Sequence, residues 1–317
     1  MPPAVASDRN PEHAKPHDIG PEAVGCIGLG LLGLAMAQRA MEHGVPVVGF
    51  DLVPERRQAL RDAGGHAADS ADEVARRCRR VFLALPHDGI SRQVALEIAP
   101  WLPEGGIILD AATGDAQQMA QLGDWLAERR VTYLDTSVSG SSAQARIGDI
   151  VLLVGGAPEG VAQCQDLFRI LAKETIHAGP CGTGAKLKLV TNLVLGLNRA
   201  ALAEGLVLAT ALGLSPEQAL AALQAGMSYS RTMETKGPKM IRRDFEPQAR
   251  LSQHLKDVRL ILAAAERKGQ PLPLSEAHRT LLELAEEQGW GTLDNCAIIQ
   301  AIEVLRGTRD GKKPPSG

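Results

Sequence analysis

The chain has 317 residues, 44% of them hydrophobic and 22% charged, with a net charge of −3. That length suits two domains, and the near-neutral balance argues against nucleic acid or an anionic membrane surface as a partner. The five cysteines, Cys26, Cys78, Cys164, Cys181 and Cys296, contain no C-x-x-C pair; this argues against zinc or dithiol chemistry and suits a reducing cytoplasm.

Residues 1–21 are polar and rich in Pro and His. They lack the apolar run of a signal peptide and read as a flexible leader. His13, His17 and His43 share no metal-ligand spacing, so no metal site is expected. From residue 23 onward, short apolar runs predict strands at 23–29, 45–50, 81–85, 106–109, 131–134, 150–154 and 175–177. Helical periodicity falls between them at 31–43, 54–63 and 117–130. Such alternation indicates an α/β, doubly wound parallel sheet with ligands at the carboxyl ends of its strands.

The first turn reads Gly28-Leu29-Gly30-Leu31-Leu32-Gly33. Gly28 permits a tight turn, Gly30 lets the backbone approach a pyrophosphate, and Gly33 lets the helix pack on the strand. The helix N-terminus at Leu31 and Leu32 offers N–H groups and partial positive charge to the phosphates. Asp51 ends the second strand, near the offset of a ribose-binding carboxylate. A carboxylate there favours NAD; Arg56 and Arg57 nearby keep NADP open, since an arginine can hold a 2′-phosphate.

After Gly184 the strand signals stop, and helices are predicted at 185–212, from Ser215 through 225, and at 251–268, 275–288 and 292–305. The expected layout is a leader over 1–21, a dinucleotide-binding Rossmann domain over 22–182 and an all-helical substrate domain over 183–317, with substrate bound between the last two. The apolar stretch 187–214 is interrupted by Lys188, Arg199 and Glu204, which suits a core helix rather than a membrane span. Its wide apolar stripe predicts burial against a second copy, in a homodimer or homotetramer.

The segment GPCGTGAKLKLVTN, 179–192, feeds a glycine-rich turn into that helix. Lys188 and Asn192 are four residues apart and share a face; Lys186 points elsewhere and has Val190 four residues on. A lysine whose pKa is lowered by burial and a helix N-terminus can take a hydroxyl proton and return it.

Four segments in order resemble the β-hydroxyacid dehydrogenases over about residues 23–305. They are VGCIGLGLLGLAMAQRA (24–40), DTSVSGSSAQARIGDIVLLVGG (135–156, similar to D-x-P-V-S-G-G), GPCGTGAKLKLVTN, and LKDVRLIL (255–262). The resemblance implies hydride transfer between NAD(P) and a small anionic β-hydroxy acid or its semialdehyde. It implies that Lys188 is the acid/base, that Asn192, Val138, Ser139, Gly140 and Ser141 hold the substrate, and that Leu85, Pro86, Thr113 and Lys256 lie along the cofactor. Departures cluster around the substrate. Ser137 replaces a proline, Ser141 a glycine, Ala249 an aromatic, Ala111-Ala112-Thr113 follows Asp110, and Arg146 lies close by. Extra hydroxyls suit a more polar or acidic substrate than 3-hydroxyisobutyrate. An imine reductase of this architecture would lack the lysine. A non-catalytic NAD-binding protein on the same fold would have lost Lys188 or Asn192 and gained basic modules.

Overall fold

The computed structural model describes residues 22–309, with side chains to 305. The predicted leader, with His13 and His17, lies outside the described residues. The first part of the chain runs β1 (Val24–Ile27), α1 (Leu31–Glu42), β2 (Val47–Phe50), α2 (Pro54–Asp62), β3 (His66–Ala67), α3 (Ala71–Arg77), β4 (Arg80–Leu83) and α4 (Asp88–Ile98). It continues with β5 (Ile107–Asp110), α5 (Ala116–Ala127), β6 (Thr132–Ser139), α6 (Ser142–Ile147), β7 (Val151–Gly155), α7 (Pro158–Ala162), α8 (Gln165–Leu171) and β8 (Glu174–Gly179).

These strands form one eight-stranded sheet in the order β3-β2-β1-β4-β5-β6-β7-β8. The strands alternate their side chains between two cores. In β5, Ile107 and Leu109 join Met36, Leu134 and Phe168 on one face, while Ile108 joins Val81, Met119 and Leu126 on the other. The expectation of an all-parallel sheet needs one correction: β7 runs antiparallel to β6. Only residues 140–150, with the short α6, connect them, and a parallel crossover takes about a dozen residues or more.

Helices α3 and α4 were not predicted. The first is short and charged, but Ser70 accepts from the Glu73 N–H and starts it. The second begins just past the predicted strand, with the His87 ring accepting from the Ile90 N–H.

The rest is helical: α9 (Thr183–Ala211), α10 (Pro216–Ala225), α11 (Thr232–Arg242), α12 (Leu251–Glu266), α13 (Pro273–Glu287) and α14 (Ile298–Arg309). Leu202, Leu206, Leu220, Met240, Leu255, Leu282 and Ile298 form a third core. With 29 residues and an 18-residue window of mean hydropathy 1.4, α9 is long and apolar enough to cross a membrane by length and composition. Here it lies against β6, β7 and α11 to α14, with Lys188, Asn192 and Arg199 on its buried face. One carboxylate joins it to the sheet: Asp135 accepts from the N–H groups of Gly182 and Ala185, each at 2.7 Å. These are orphan donors of the first turn, and the negative charge also suits the helix N-terminus.

Candidate active site

The glycine loop closes as its spacing requires. Gly28 has φ +92°, and a Cβ there would lie 2.4 Å from the Ala84 carbonyl oxygen. A Cβ on Gly33 would lie 1.9 Å from the Gly28 carbonyl oxygen, so α1 packs directly on the loop. At Gly30 nothing lies within 4 Å of that position, which leaves space in front of the α1 N-terminus. Leu31 is exposed there, and Leu85 reaches the same loop beside Gly28, while Pro86 is exposed.

Asp51 is buried, and its carboxylate accepts from the Leu29 N–H at 2.8 Å and the Val53 N–H at 2.9 Å. It thereby ties β2 to the glycine loop. Arg56 pairs with it at 3.3 Å, and Arg57 donates to its main-chain oxygen.

A cleft of about 870 Å³ runs between the sheet edge and the helices. Leu31, Leu32, Thr113, Ser139, Gly140, Ser141, Lys188 and Asn192 all line it. Lys188 is 9% exposed, and its Nζ donates to the Val138 carbonyl at 2.7 Å. Lys186 is exposed. Lys188 is the sixth residue of α9, two residues deeper than in the predicted helix. Burial lowers its pKa, with Asp257 opposing the shift. The Asn192 amide donates to Asp257 at 3.1 Å. Lys256 donates to the Thr113 carbonyl at 3.2 Å and lies 3.9 Å from Asp257. Burial raises the pKa of Asp257, and Lys256 and Lys188 oppose that shift.

A family model described as the NAD binding domain of 6-phosphogluconate dehydrogenase matches residues 23–179, and one described as the NAD-binding domain of NADP-dependent 3-hydroxyisobutyrate dehydrogenase matches 182–302. The 2-(hydroxymethyl)glutarate dehydrogenase of Eubacterium barkeri is 31% identical, over 86% of this chain and 92% of that protein. The chain belongs to the β-hydroxyacid dehydrogenase family. Glyoxylate/succinic semialdehyde reductase 1 of Arabidopsis thaliana is 28% identical over 89% of this chain and 99% of that protein. The solved structure of Mycobacterium tuberculosis 3-hydroxyisobutyrate dehydrogenase with L-serine shares the fold, with a TM-score of 0.81 at 23% identity, covering 89% of this chain and 99% of that one.

As a member of the β-hydroxyacid dehydrogenases, the protein is an NAD(P)-dependent oxidoreductase acting on CH–OH groups. The residues fit the dinucleotide: the space at Gly30, the α1 N-terminus and the Asp51 carboxylate form a cradle that a side chain at Gly30 would fill.

Two residues of the substrate loop have other work in this β-hydroxyacid dehydrogenase. Ser141 is the N-cap of α6: its hydroxyl accepts from the Gln144 N–H, and its own N–H donates to the Gln144 side chain. Arg146 pairs with Glu42 on α1. Sequence reading missed the capping of α9 by Asp135, and it placed Asp257 beside Lys256 without its contact to Asn192. Asp257 follows Lys256 in the K-D segment, so its presence was visible while its partner was not.

Proposed function

We propose that the protein oxidises a small β-hydroxy acid to its semialdehyde, or reduces the semialdehyde, with Lys188 as the general acid/base. The observation that carries this reading is the Lys188 amine, buried at the cleft and fixed at 2.7 Å from the Val138 carbonyl. The dinucleotide, when bound, supplies the hydride donor or acceptor. In oxidation, neutral Lys188 takes the hydroxyl proton; in reduction, its ammonium form returns the proton to the carbonyl oxygen. Asn192, oriented by Asp257, hydrogen-bonds the reacting oxygen. Ser139 and Gly140, at the end of β6, receive the substrate carboxylate, and Ser141 supports that loop through its cap. The name of the Eubacterium barkeri relative, a hydroxymethyl-substituted acid, supports this substrate class.

Asp51 supports NAD over NADP, since its carboxylate repels a 2′-phosphate. The exposed apolar side chains of α9 support a homodimer or homotetramer, and the free cysteines support a cytoplasmic location.

The test follows absorbance at 340 nm with NAD and NADP separately, against β-hydroxy acids and their semialdehydes. Turnover is expected with NAD ahead of NADP. Lys188→Ala is expected to lose at least about 10²-fold in kcat while dinucleotide binding persists. Turnover undiminished in that variant sinks the assignment of Lys188.

A further inference from the structure

The face of α9 that carries Lys188 and Asn192 continues to Arg199. Eleven residues at about 100° each return to within ~20° of the starting direction, so Arg199 sits about three turns further along the same face. It is 3% exposed and lines the same cleft as Lys188. Its Nε and Nη1 are buried and have no hydrogen-bond partner among the described residues. A guanidinium carries five donors and stays charged in proteins, so an unpaired one out of water is costly.

The nearby carboxylate does not answer it. Asp294 is the first group whose field reaches Arg199. Both of its oxygens accept from Lys236, at 2.8 and 2.9 Å, and it also accepts from the N–H groups of Gln248, Ala249 and Cys296. One buried anion therefore faces two buried cations, and its acceptor sites are occupied. The neighbouring histidines do not supply negative charge either: burial, reinforced by Arg199, pushes the pKa of His254 well down and that of His278 down to about 4, so both are neutral. His254 packs over Gly196, where a Cβ would lie 2.6 Å from its Nε2. That glycine lets the His254 and His278 rings pack against α9 between Asn192 and Arg199. Among the described residues, the far end of the cleft thus carries one more buried cation than anion and a planar fork of free donors.

We propose that Arg199 binds a second carboxylate of the substrate, at the end of the cleft away from Lys188, and so selects hydroxy diacids over hydroxy monoacids. This deepens the hydroxy-acid reading above and rests on it. The guanidinium fork matches a carboxylate in two parallel hydrogen bonds, and the low dielectric around it strengthens them. Three helical turns between the two positions call for an elongated molecule, with its hydroxyl at Lys188 and its second acid on a branch.

A matched panel tests this: 2-(hydroxymethyl)alkanoates whose C2 branch of two to five carbons ends either in a carboxylate or in a methyl group. Wild-type enzyme is expected to favour the carboxylate-ended member, at its best length, by at least about 10²-fold in kcat/KM, because a site built for a polar group rejects the analogue lacking it. Arg199→Met, which keeps the length of the side chain without the charge, is expected to abolish that preference and leave the methyl-ended members within a few-fold. Arg199→Lys is expected to recover part of the preference. Equal losses on both series, or no preference in the wild type, overturn the proposal.

Calorimetric titration with adipate and with hexanoate separates the two readings. Arg199-dependent binding of adipate without turnover of any panel member keeps the subsite and sinks the hydride-transfer reading. Absence of both turnover and adipate binding overturns the subsite as well.

Discussion

The proposed role of Lys188 rests on where its charge is placed. Burial makes its ammonium form costly, and Asp257 restores only part of that cost. The folded pKa therefore lies below the ordinary 10.5. The sign of the pH dependence follows. With Lys188 as the proposed base, oxidation needs the neutral amine, so its kcat/KM is expected to rise as pH climbs toward that lowered pKa and to level off above it. Reduction needs the ammonium and falls over the same window. Opposite basic limbs in the two directions are expected from pH–rate profiles with saturating dinucleotide. Limbs of the same sign would assign the titration to another group. Arg199 is the contrasting case. It too is buried, and its pKa is lowered to about 10 by burial. It remains charged at neutral pH and so suits binding rather than proton transfer.

At the level of elements, α9 carries Lys188, Asn192 and Arg199 along the cleft beside the sheet. Its N-terminus is fixed to the sheet by Asp135, whose two oxygens accept from Gly182 and Ala185. The fit is close: a Cβ on Gly184 would lie 2.5 Å from the Leu153 carbonyl oxygen. Asp135→Ala leaves two buried N–H groups unpaired and is expected to lower stability by roughly 1–3 kcal/mol. Urea unfolding with an unchanged m-value checks it. A loss within about 0.5 kcal/mol, the range of an unremarkable surface change, would mean that α9 is held elsewhere.

The motif on α9 was legible because Lys188 and Asn192 are four residues apart, and helix geometry alone puts them side by side. Asp257 could not be paired with Asn192 in the same way, since 65 residues separate them. Nor could the cap formed by Ser141 be told from a substrate hydroxyl. Both uses call for a serine at the end of a strand, and only the start of α6 decides between them.

For the whole molecule, the sheet and the helical part are tied by polar contacts around the cleft. Arg267 pairs with Asp115 at 2.6 Å, Arg231 pairs with Asp149, and Lys256 reaches the Thr113 carbonyl. The exposed side of α9 is apolar. Val190, Val194 and Leu195, which also line the cleft, and Leu208 on α9, with Leu212 just past its end, are each more than 40% exposed. Exposed apolar surface on that scale marks an interface. Sedimentation at micromolar concentration is expected to give a dimer or tetramer, and Val194→Asp together with Leu208→Asp to shift it toward monomer. A wild-type monomer at that concentration would leave the face without a second copy.

The sequence by itself determined the glycine loop with Asp51, the change from alternating strands to helices, and the shared helix face of Lys188, not Lys186, with Asn192. Each of these depends on short spacing, where the backbone period dictates which side chains meet. Tertiary structure alone decided the antiparallel β7, the cap on α9 from Asp135, the Asn192–Asp257 contact, the removal of Arg146 to Glu42, and the lack of an anion for Arg199. These depend on groups tens of residues apart meeting out of water, where their charges and hydrogen bonds must be satisfied by whatever the fold brings within reach.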